Sequence, residues 1–424
     1  MLIKNARFIV TQNKERQIIE NKDILISENK IIEIGNKLSK DDEVINASNK
    51  IVIPGLINSH IHSPMILFRG ISDEKDLHGW LDEEIAPVES RMNEEKAYYG
   101  TLLSILEQIS TGTTTFNEMY SFTESIIRAV NKSGIRAFIG KGLRDGNNPE
   151  KADDEIKKYE RIIQMIKRNK GLIKPVLGLH WTLTCSDELI KKLIEMNREN
   201  FLINMHVSET RREFKENLRI FKKRPIERLK ELGLLNENFV AIHCIYVSEG
   251  EINDLARMNC KVVHNPTTNM KLVDGICPVA KMLTSGVNVS IGSDSPASND
   301  NLNMFEEMKI TSLLQRINTK RANAITSQTA FDLSTTNAAK TLDMENEIGS
   351  IDIGKKADIV FINKDEITIN PILGKNGLLS NLIYSFDGRV SDVMVNGKFL
   401  LKDYEFLTLD KNAIIEKIRE LNIY

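Results

Sequence analysis

The residues best suited to metal or proton chemistry in this chain are its seven histidines. Six of them lie at or near the C-terminal end of a short apolar run, where a buried strand would end. A random scatter would put most histidines on helices and loops. Because barrel active sites lie at the carboxyl ends of the strands, this clustering predicts a site built from strand ends. The seven are His60, His62, His78, His180, His206, His243 and His264.

A metal site is the chemistry that four strand-end residues favour. His60 and His62 form H-x-H, so on a strand both side chains point to the same side, and two imidazoles can approach one cation at about 2.0–2.1 Å. His206 ends the fifth apolar run and Asp294 the eighth. Three imidazoles and a carboxylate suit zinc, iron or manganese and leave room for a water. H-x-H alone is equally compatible with two histidines that merely end a strand, and Asp294 could instead cap the next helix.

Two further residues suit proton transfer at such a site. Glu209 follows His206 by three residues in H-V-S-E, so it is near enough to move protons. His243 ends the sixth run, where it could hold or polarise an attacking hydroxide, and Asp294 could accept a proton from water. The competing interpretations are a solvated surface glutamate and a core histidine bonded to a backbone carbonyl.

Eight apolar runs separated by helical patterns are the elements that must position these residues. Eight successive β-α units are typical of a (β/α)8 TIM barrel of about 250 residues. We expect such a barrel over residues 51–354. An open doubly wound sheet is the alternative, but no G-x-G-x-x-G turn follows the first run. The runs are IVIPGLINSHIH, TTTFNEM, IRAFIGK, VLGLHW, FLINMHVSE, FVAIHCIY, KVVHNP and NVSIGSDS.

The two ends of the chain have the alternating pattern of short antiparallel strands. Residues 1–50 contain LIKNARFIV and KDILISENKIIEIG, and residues 355–424 contain ADIVFIN and SDVMVNGKFLLKD, with a hairpin signal at Asn396-Gly397. Neither end is long enough for a comfortable core alone. We therefore predict one small β-sandwich domain that combines 1–50 with 355–424.

The composition excludes several classes of protein. The 57 basic and 59 acidic residues give a net charge of -2, which leaves no electrostatic footprint for nucleic acid or for a polybasic membrane-surface protein. No apolar run reaches the roughly 18 residues of a membrane span, and the N-terminal residues lack a signal-peptide pattern. The four scattered cysteines favour a reducing, cytoplasmic setting. The H-x-E and P-C-x-x-C motifs of cytidine-type deaminases and the G-x-S-x-G elbow are absent.

Several longer motifs, taken in order, resemble the amidohydrolase superfamily. They are PGLINSHIH, WLDEEIAPVE, NMHVSET, AIHCIYVS, VVHNPTTNMKL, IGSDSPASNDNLNMFEEM and EIGSIDIGKKADIVFI, and they extend over nearly the whole chain. More closely, they resemble the 5-methylthioadenosine/S-adenosylhomocysteine deaminase group, near which 5'-deoxyadenosine deaminases belong. One departure is H-W-T-L-T-C-S around His180, where the group usually has H-A-P-Y-T-C-S, and we expect Trp181 and Leu183 to reshape the nucleoside pocket.

The resemblance implies a role for each site residue. Metal ligands are implied at His60, His62, His206 and Asp294, and substrate contacts at Glu89, Arg144, His180, Glu209 and Asp294. Within that set, Glu89 would bind the ribose hydroxyls, Glu209 the purine N1 edge, and Arg144 the polar tail of a larger substrate. His180 would help orient the ring, and Ser298 would support His243. Neither His78 nor His264 is given a role, and His78 is expected on a loop or surface.

The function that follows is hydrolytic deamination of an adenosine-type nucleoside at one divalent metal, zinc before iron or manganese. One metal is expected because His180 occupies the fourth strand end, where binuclear relatives often carry a carboxylated lysine. The alternatives are a deaminase or dechlorinase acting on a free base or triazine, and a barrel that binds metal without turnover. The expected partner is a small nucleoside rather than nucleic acid or membrane, and we expect a homo-oligomer.

Overall fold

The computed structural model describes residues 1–39, 43–169 and 171–423. Residues 40–42 and 424, which the sequence analysis assigns to the end domain, lie outside the described residues, as does residue 170. In chain order the strands are β1 (Leu2–Val10), β2 (Ile18–Ser27), β3 (Lys30–Gly35), β4 (Val44–Asn46), β5 (Lys50–Pro54), β6 (Leu56–Ile61), β7 (Thr113–Met119), β8 (Arg136–Gly140), β9 (Gly142–Leu143), β10 (Ile173–Pro175), β11 (Leu177–Trp181), β12 (Ile203–Val207), β13 (Phe239–His243), β14 (Lys261–His264), β15 (Asn288–Ile291), β16 (Ile359–Asn363), β17 (Asp392–Val395), β18 (Lys398–Lys402) and β19 (Glu405–Phe406).

Helices alternate with the barrel strands and bury one apolar stripe each. The helix after β7 is an example: it buries Ile126, Ala129 and Val130 at helical spacing and ends at Gly134, whose φ of 80° suits glycine. None of the described helices is long and apolar enough to cross a membrane. The α-helices are α1 (Leu77–Gly79), α2 (Ala86–Glu89), α3 (Glu94–Ser110), α4 (Thr123–Ser133), α5 (Ala152–Lys167), α6 (Asp187–Met196), α7 (Arg211–Phe221), α8 (Pro225–Glu231), α9 (Glu249–Arg257), α10 (Pro266–Lys271), α11 (Val279–Thr284), α12 (Pro296–Asn299), α13 (Met304–Thr319), α14 (Ser327–Leu333), α15 (Thr336–Thr341), α16 (Gly374–Tyr384) and α17 (Lys411–Glu420).

Parallel strands close into the predicted eight-stranded barrel. Strand β6 pairs with β7 and β7 with β8, whereas β9 pairs with β11, from which pairing continues in chain order to β15. Strands β8 and β9 are consecutive on residues 136–143, so this segment joins the two sets. A parallel bridge between Ile61 and Asp294 returns β15 to β6. All eight strands come from the apolar runs, and the (β/α)8 prediction is confirmed.

The two ends of the chain build one second sheet. Its order is β19-β18-β17-β16-β5-β1-β2-β3, with β4 paired to β1. Antiparallel pairing of β16 with β5, for example Val360 with Ile53, joins the end segments. Apolar side chains from both ends then share a core, which includes Ile3, Ile26 and Phe361. Neither end therefore has to bury its apolar face alone.

Two glycines define turns in this sheet and at its border with the barrel. The run IVIPGLINSHIH, predicted as one strand, is split at Gly55 into β5 of the end sheet and β6 of the barrel. A Cβ at Gly55 would lie 2.1 Å from the Thr114 hydroxyl oxygen, so only glycine allows the chain to pass there. The predicted hairpin at Asn396-Gly397 is present between β17 and β18, and both residues have positive φ.

A buried ion pair fastens the barrel to the end sheet. Arg136 begins β8, and its guanidinium donates through Nε and Nη2 to both carboxylate oxygens of Asp358, at 3.1 Å each. Both side chains are almost fully buried. Asp358 also accepts from the backbone N–H of Asn396 at 2.6 Å. The charge of each partner is therefore compensated inside the protein.

Candidate active site

The two histidines of H-x-H face the same aspartate at the open end of the barrel. Nε2 of His60 lies 3.3 Å from Oδ1 of Asp294, and Nε2 of His62 lies 3.4 Å from the same oxygen. The backbone N–H of Asp294 also donates to the carbonyl of His60 at 3.0 Å. Side chains two residues apart on a strand such as β6 point the same way, and β15 closes the barrel against β6. These two features bring the predicted ligands His60, His62 and Asp294 together.

His206 completes the cluster from the end of β12. Its Nε2 lies 3.2 Å from Nε2 of His60. Its Nδ1 lies 2.7 Å from the carbonyl oxygen of His180, and Nδ1 of His62 lies 2.6 Å from that of Met119. A carbonyl oxygen only accepts, so each Nδ1 carries the proton and each Nε2 presents a lone pair.

The protonation states in this cluster fit a bound cation. Burial lowers the pKa of His60 to about 4, and burial with the neighbouring imidazoles lowers that of His206. Although burial opposes it, contacts with the imidazoles of His60, His243 and His62 hold the pKa of Asp294 well below its usual range. Neutral imidazoles whose lone pairs face one another beside a carboxylate repel unless a cation lies between them. The donor set therefore fits a divalent metal.

His243 lies beside this cluster and contacts two carboxylates. Its Nδ1–H donates to Oδ1 of Asn269 at 2.9 Å. Its Nε2 lies 3.4 Å from Oε1 of Glu209 and 3.8 Å from Oδ2 of Asp294. His60, His243 and Asp294 also have ligand atoms within 4.8 Å of one another, as do His60, His62 and His206. The sequence left open that His243 is a core histidine bonded to a backbone carbonyl. That interpretation does not apply, because the partner of its Nδ1 is a side-chain amide.

The backbone is unusual where three barrel strands end. Ser208, His243 and Asp294 have φ values of 55°, 75° and 61°. Left-handed backbone is uncommon outside glycine and costs energy for ordinary side chains. Its recurrence after β12, at the end of β13 and after β15 indicates that the fold holds these side chains in a required position.

Glu209 is buried rather than solvated. Burial and the charges of Asp274 and Asp294 raise its pKa well above the usual value, which favours the protonated carboxyl. Its backbone N–H donates to Oε2 of Glu213 at 2.8 Å, and Glu213 in turn accepts from the Thr182 hydroxyl at 2.6 Å. The Glu209 side chain thus lies within reach of His243.

The remaining predicted residues surround the mouth of the site. Glu89 ends α2 and accepts from the Tyr120 hydroxyl at 2.6 Å, while the Tyr120 ring lies 6.2 Å from that of His62. Burial and the charge of Arg144 lower the pKa of His180 to about 3, so His180 is neutral. Arg144 itself is exposed, although its charge reaches both His180 and Tyr120.

One expectation about this region is wrong. Ser298 was expected to support His243, but its hydroxyl bonds the Thr268 hydroxyl at 2.8 Å and the carbonyl of Ser295 at 3.0 Å. The partner of His243 is Asn269 instead, because α10 turns that amide toward the barrel.

The amidohydrolase family model matches residues 51–400. The chain belongs to the amidohydrolase family. Among its amidohydrolase relatives, a 5'-deoxyadenosine deaminase of Methanocaldococcus jannaschii is 39% identical over 428 residues, covering 99% of this chain and 98% of that protein. A second 5'-deoxyadenosine deaminase, from Methanosarcina barkeri, is 37% identical over 98% of this chain and 96% of its own.

Two solved structures share the architecture of nearly the whole chain. The crystal structure of an adenosine deaminase from Xanthomonas campestris with bound zinc superposes with a TM-score of 0.93 at 28% identity, covering 99% of this chain and 97% of that chain. An atrazine chlorohydrolase from Arthrobacter aurescens superposes with a TM-score of 0.92 at 19% identity, covering 99% of each chain. The second likeness concerns the fold alone.

Sequence reasoning did not identify several residues of this amidohydrolase site. Tyr120 gave no signal beyond its place after the run TTTFNEM, and Asn269 gave none beyond its place inside the motif VVHNPTTNMKL. Glu213 carries one, since Thr210 caps α7 and Glu213 stands three residues on, as in a capping box. His78 is half-buried rather than on the surface, and its ring lies 6.0 Å from that of Trp181.

Proposed function

We propose that this amidohydrolase is a metal-dependent deaminase that converts an adenosine-type nucleoside to the inosine analogue and ammonia. The observation that carries the proposal is the convergence of His60, His62, His206 and Asp294 beside the buried carboxyl of Glu209, whose pKa is raised. The relatives named as 5'-deoxyadenosine deaminases, at 37–40% identity over nearly the full chain, support the nucleoside assignment.

His60, His62, His206 and Asp294 would hold one divalent cation, and zinc is the first choice. The donor set of three imidazoles and one carboxylate suits zinc, with iron and manganese as alternatives. Zinc in the related adenosine deaminase of Xanthomonas campestris supports this choice. When bound, such a cation supplies Lewis-acid activation of water and of the ring carbon under attack.

Proton transfers belong to the residues around that centre. Glu209 donates its proton to N1 of the purine, which makes C6 more electrophilic. Asp294 and His243, whose Oδ2 and Nε2 lie 3.8 Å apart, take the proton of the water that attacks C6. The C6–N6 bond then breaks and its electron pair goes to N6, which takes the proton held by Asp294 and His243. The new C6 hydroxyl gives its proton to Glu209 as it becomes the 6-oxo group, and ammonia leaves.

Binding and orientation come from the mouth of the barrel. Glu89 accepts hydrogen bonds from the ribose hydroxyls, and the hydroxyl of Tyr120 fixes one of its oxygens. His180, neutral and bonded through Nδ1 to the Thr184 hydroxyl at 3.0 Å, orients the ring. Arg144 is exposed, so a 5' substituent reaches solvent near a positive charge. Nucleosides altered at the 5' position are therefore the expected substrates, with 5'-deoxyadenosine first and S-adenosylhomocysteine and 5-methylthioadenosine next. We also propose that the protein is a homo-oligomer.

A substrate panel tests the proposal. Values of kcat/KM are measured from ammonia release with 5'-deoxyadenosine, S-adenosylhomocysteine, 5-methylthioadenosine, adenosine, adenine, guanine and cytosine, and from chloride release with a chlorotriazine. The expected result is a preference for the nucleosides, because the half-buried carboxylate of Glu89 would lose its ribose hydroxyl partners with a free base or a triazine. A preference for a free base or triazine would overturn the nucleoside assignment.

A further inference from the structure

One fully buried carboxyl joins two loops of the active site and has no task in the mechanism above. Glu307 lies on α13, which packs against β6 and β15. Its Oε1 oxygen accepts from the Thr267 hydroxyl at 2.6 Å and from the side-chain amide of Asn299 at 2.9 Å. Its Oε2 oxygen accepts from the backbone N–H of Thr267 at 3.4 Å. All three of these partners are neutral, and a buried carboxyl costs desolvation free energy, so stability alone does not favour it over an apolar residue here.

The first of these loops carries the hydrogen-bond partner of His243. Thr267 is the second residue of α10, and Asn269 stands two residues further along the same helix. The Oδ1 oxygen of Asn269 accepts from Nδ1–H of His243 at 2.9 Å, which leaves Nε2 of that ring directed toward Asp294. Two hydrogen bonds from Thr267 to one carboxyl fix the start of this short helix, so they also fix the position of Asn269.

The second loop carries Asp294 itself. Asn299 ends α12, and its side-chain amide donates both to Glu307 and to the carbonyl of Ser293 at 2.7 Å. Ser293 directly precedes Asp294, whose backbone is left-handed with a φ of 61°. Because left-handed backbone costs energy outside glycine, surrounding contacts must hold it in place. The hydrogen bonds from Asn299 are contacts of this kind.

Both loops therefore meet at one carboxyl, and the first holds His243 through Asn269 while the second carries Asp294. Nε2 of His243 and Oδ2 of Asp294 lie 3.8 Å apart. A displacement of a reacting group by about 1 Å can lower a rate about 100-fold. We propose that Glu307 is a positioning residue that keeps this pair in place to take the proton of the attacking water. The inference rests on the proposed function, since it assumes that the pair acts on that water.

Steady-state kinetics of the metal-loaded full chain on 5'-deoxyadenosine test this role, with kcat calculated per bound metal. Glu307→Ala removes the acceptor and should lower kcat about 10- to 100-fold. KM should stay within about threefold, because the residues proposed to bind the nucleoside follow other strands. Glu307→Gln keeps one oxygen that can accept from Thr267 and Asn299, so it should restore kcat to within about fivefold of wild type. Glu306→Ala, at the half-buried neighbouring glutamate, should leave both constants unchanged.

Two further variants separate positioning from folding. Thr267→Val removes the hydroxyl that bonds Glu307 at 2.6 Å with little change of shape, and it should lower kcat about 3- to 10-fold. This variant tests the same contact if Glu307→Ala does not fold. Arg136→Ala breaks the buried ion pair at the opposite end of the barrel, so it should lower the free energy of unfolding without lowering kcat. Urea unfolding and elemental analysis are carried out on every sample.

Four results would overturn the inference while the proposed function stands. They are an unchanged kcat in Glu307→Ala and Thr267→Val, a loss confined to KM, a glutamine variant no better than the alanine variant, and an equal loss of kcat in Arg136→Ala. A wild-type chain that releases no ammonia from any nucleoside refutes the proposed function itself.

Discussion

Replacing Glu209 with glutamine removes the transferable proton and almost nothing else. Because burial raises the pKa of this carboxyl, its neutral form is favoured, and glutamine matches that form in charge and approximate shape. The backbone hydrogen bond to Glu213 at 2.8 Å does not involve the replaced group. Glutamine still offers an N–H to N1, so substrate binding should persist. What is lost is general acid catalysis, about 100- to 10,000-fold in kcat, or about 3–5 kcal/mol of barrier.

The assay is steady-state ammonia release from 5'-deoxyadenosine, with metal content measured on the same samples. KM should stay within about threefold of wild type, since the hydrogen bond to N1 is kept. Glu216→Gln is the matched control, because it makes the same chemical change on the exposed side of α7. A glutamine variant that retains its metal and turns over within about tenfold of wild type would refute the role of Glu209 as the proton donor.

Three other substitutions probe the mouth of the site and the junction between barrel and end sheet. Tyr120→Phe removes the hydrogen bond that orients Glu89, so KM for ribosides should rise about tenfold with kcat little changed; steady-state kinetics on 5'-deoxyadenosine test this. Arg144→Ala should weaken kcat/KM for S-adenosylhomocysteine, which carries a carboxylate, and leave 5'-deoxyadenosine nearly unchanged. Arg136→Ala leaves Asp358 buried without its partner, so urea unfolding should give a free energy about 3–5 kcal/mol lower than that of wild type; a change below about 1 kcal/mol would mean that water compensates the charge.

The sequence was sufficient to predict those parts of the fold and of the site that depend on local periodicity. The barrel follows from apolar runs that alternate with helical patterns, and His60 and His62 face one way because the strand period is two. Convergence of His206 and Asp294 with them follows from closure, since every parallel strand of a barrel ends on one face. What periodicity could not reveal was the break at Gly55, because the apolar pattern continues across it from one sheet into another.

The partners that hold the site residues were mostly beyond sequence reasoning. Asn269 lies in a short helix and Tyr120 directly follows a strand, and their contacts with His243 and Glu89 depend on loop conformations that no local pattern encodes. The expectation for Ser298 was wrong for the same reason, because the position of this residue in the sequence does not indicate which group its hydroxyl contacts. Among these partner residues, only Glu213 lies in a recognisable sequence pattern, the capping pattern that begins at Thr210.

The central claim is that one metal, held by His60, His62, His206 and Asp294, is required for nucleoside deamination. The direct test is ammonia release from 5'-deoxyadenosine by the wild type, by chelator-treated protein and by protein restored with zinc, with metal counted by elemental analysis. We expect activity to vanish with the metal and to return at about one zinc per chain, the number that this ligand set accommodates. His206→Ala should neither retain the metal nor recover. Full activity in metal-free protein, or two metals per chain at full activity, would contradict the account.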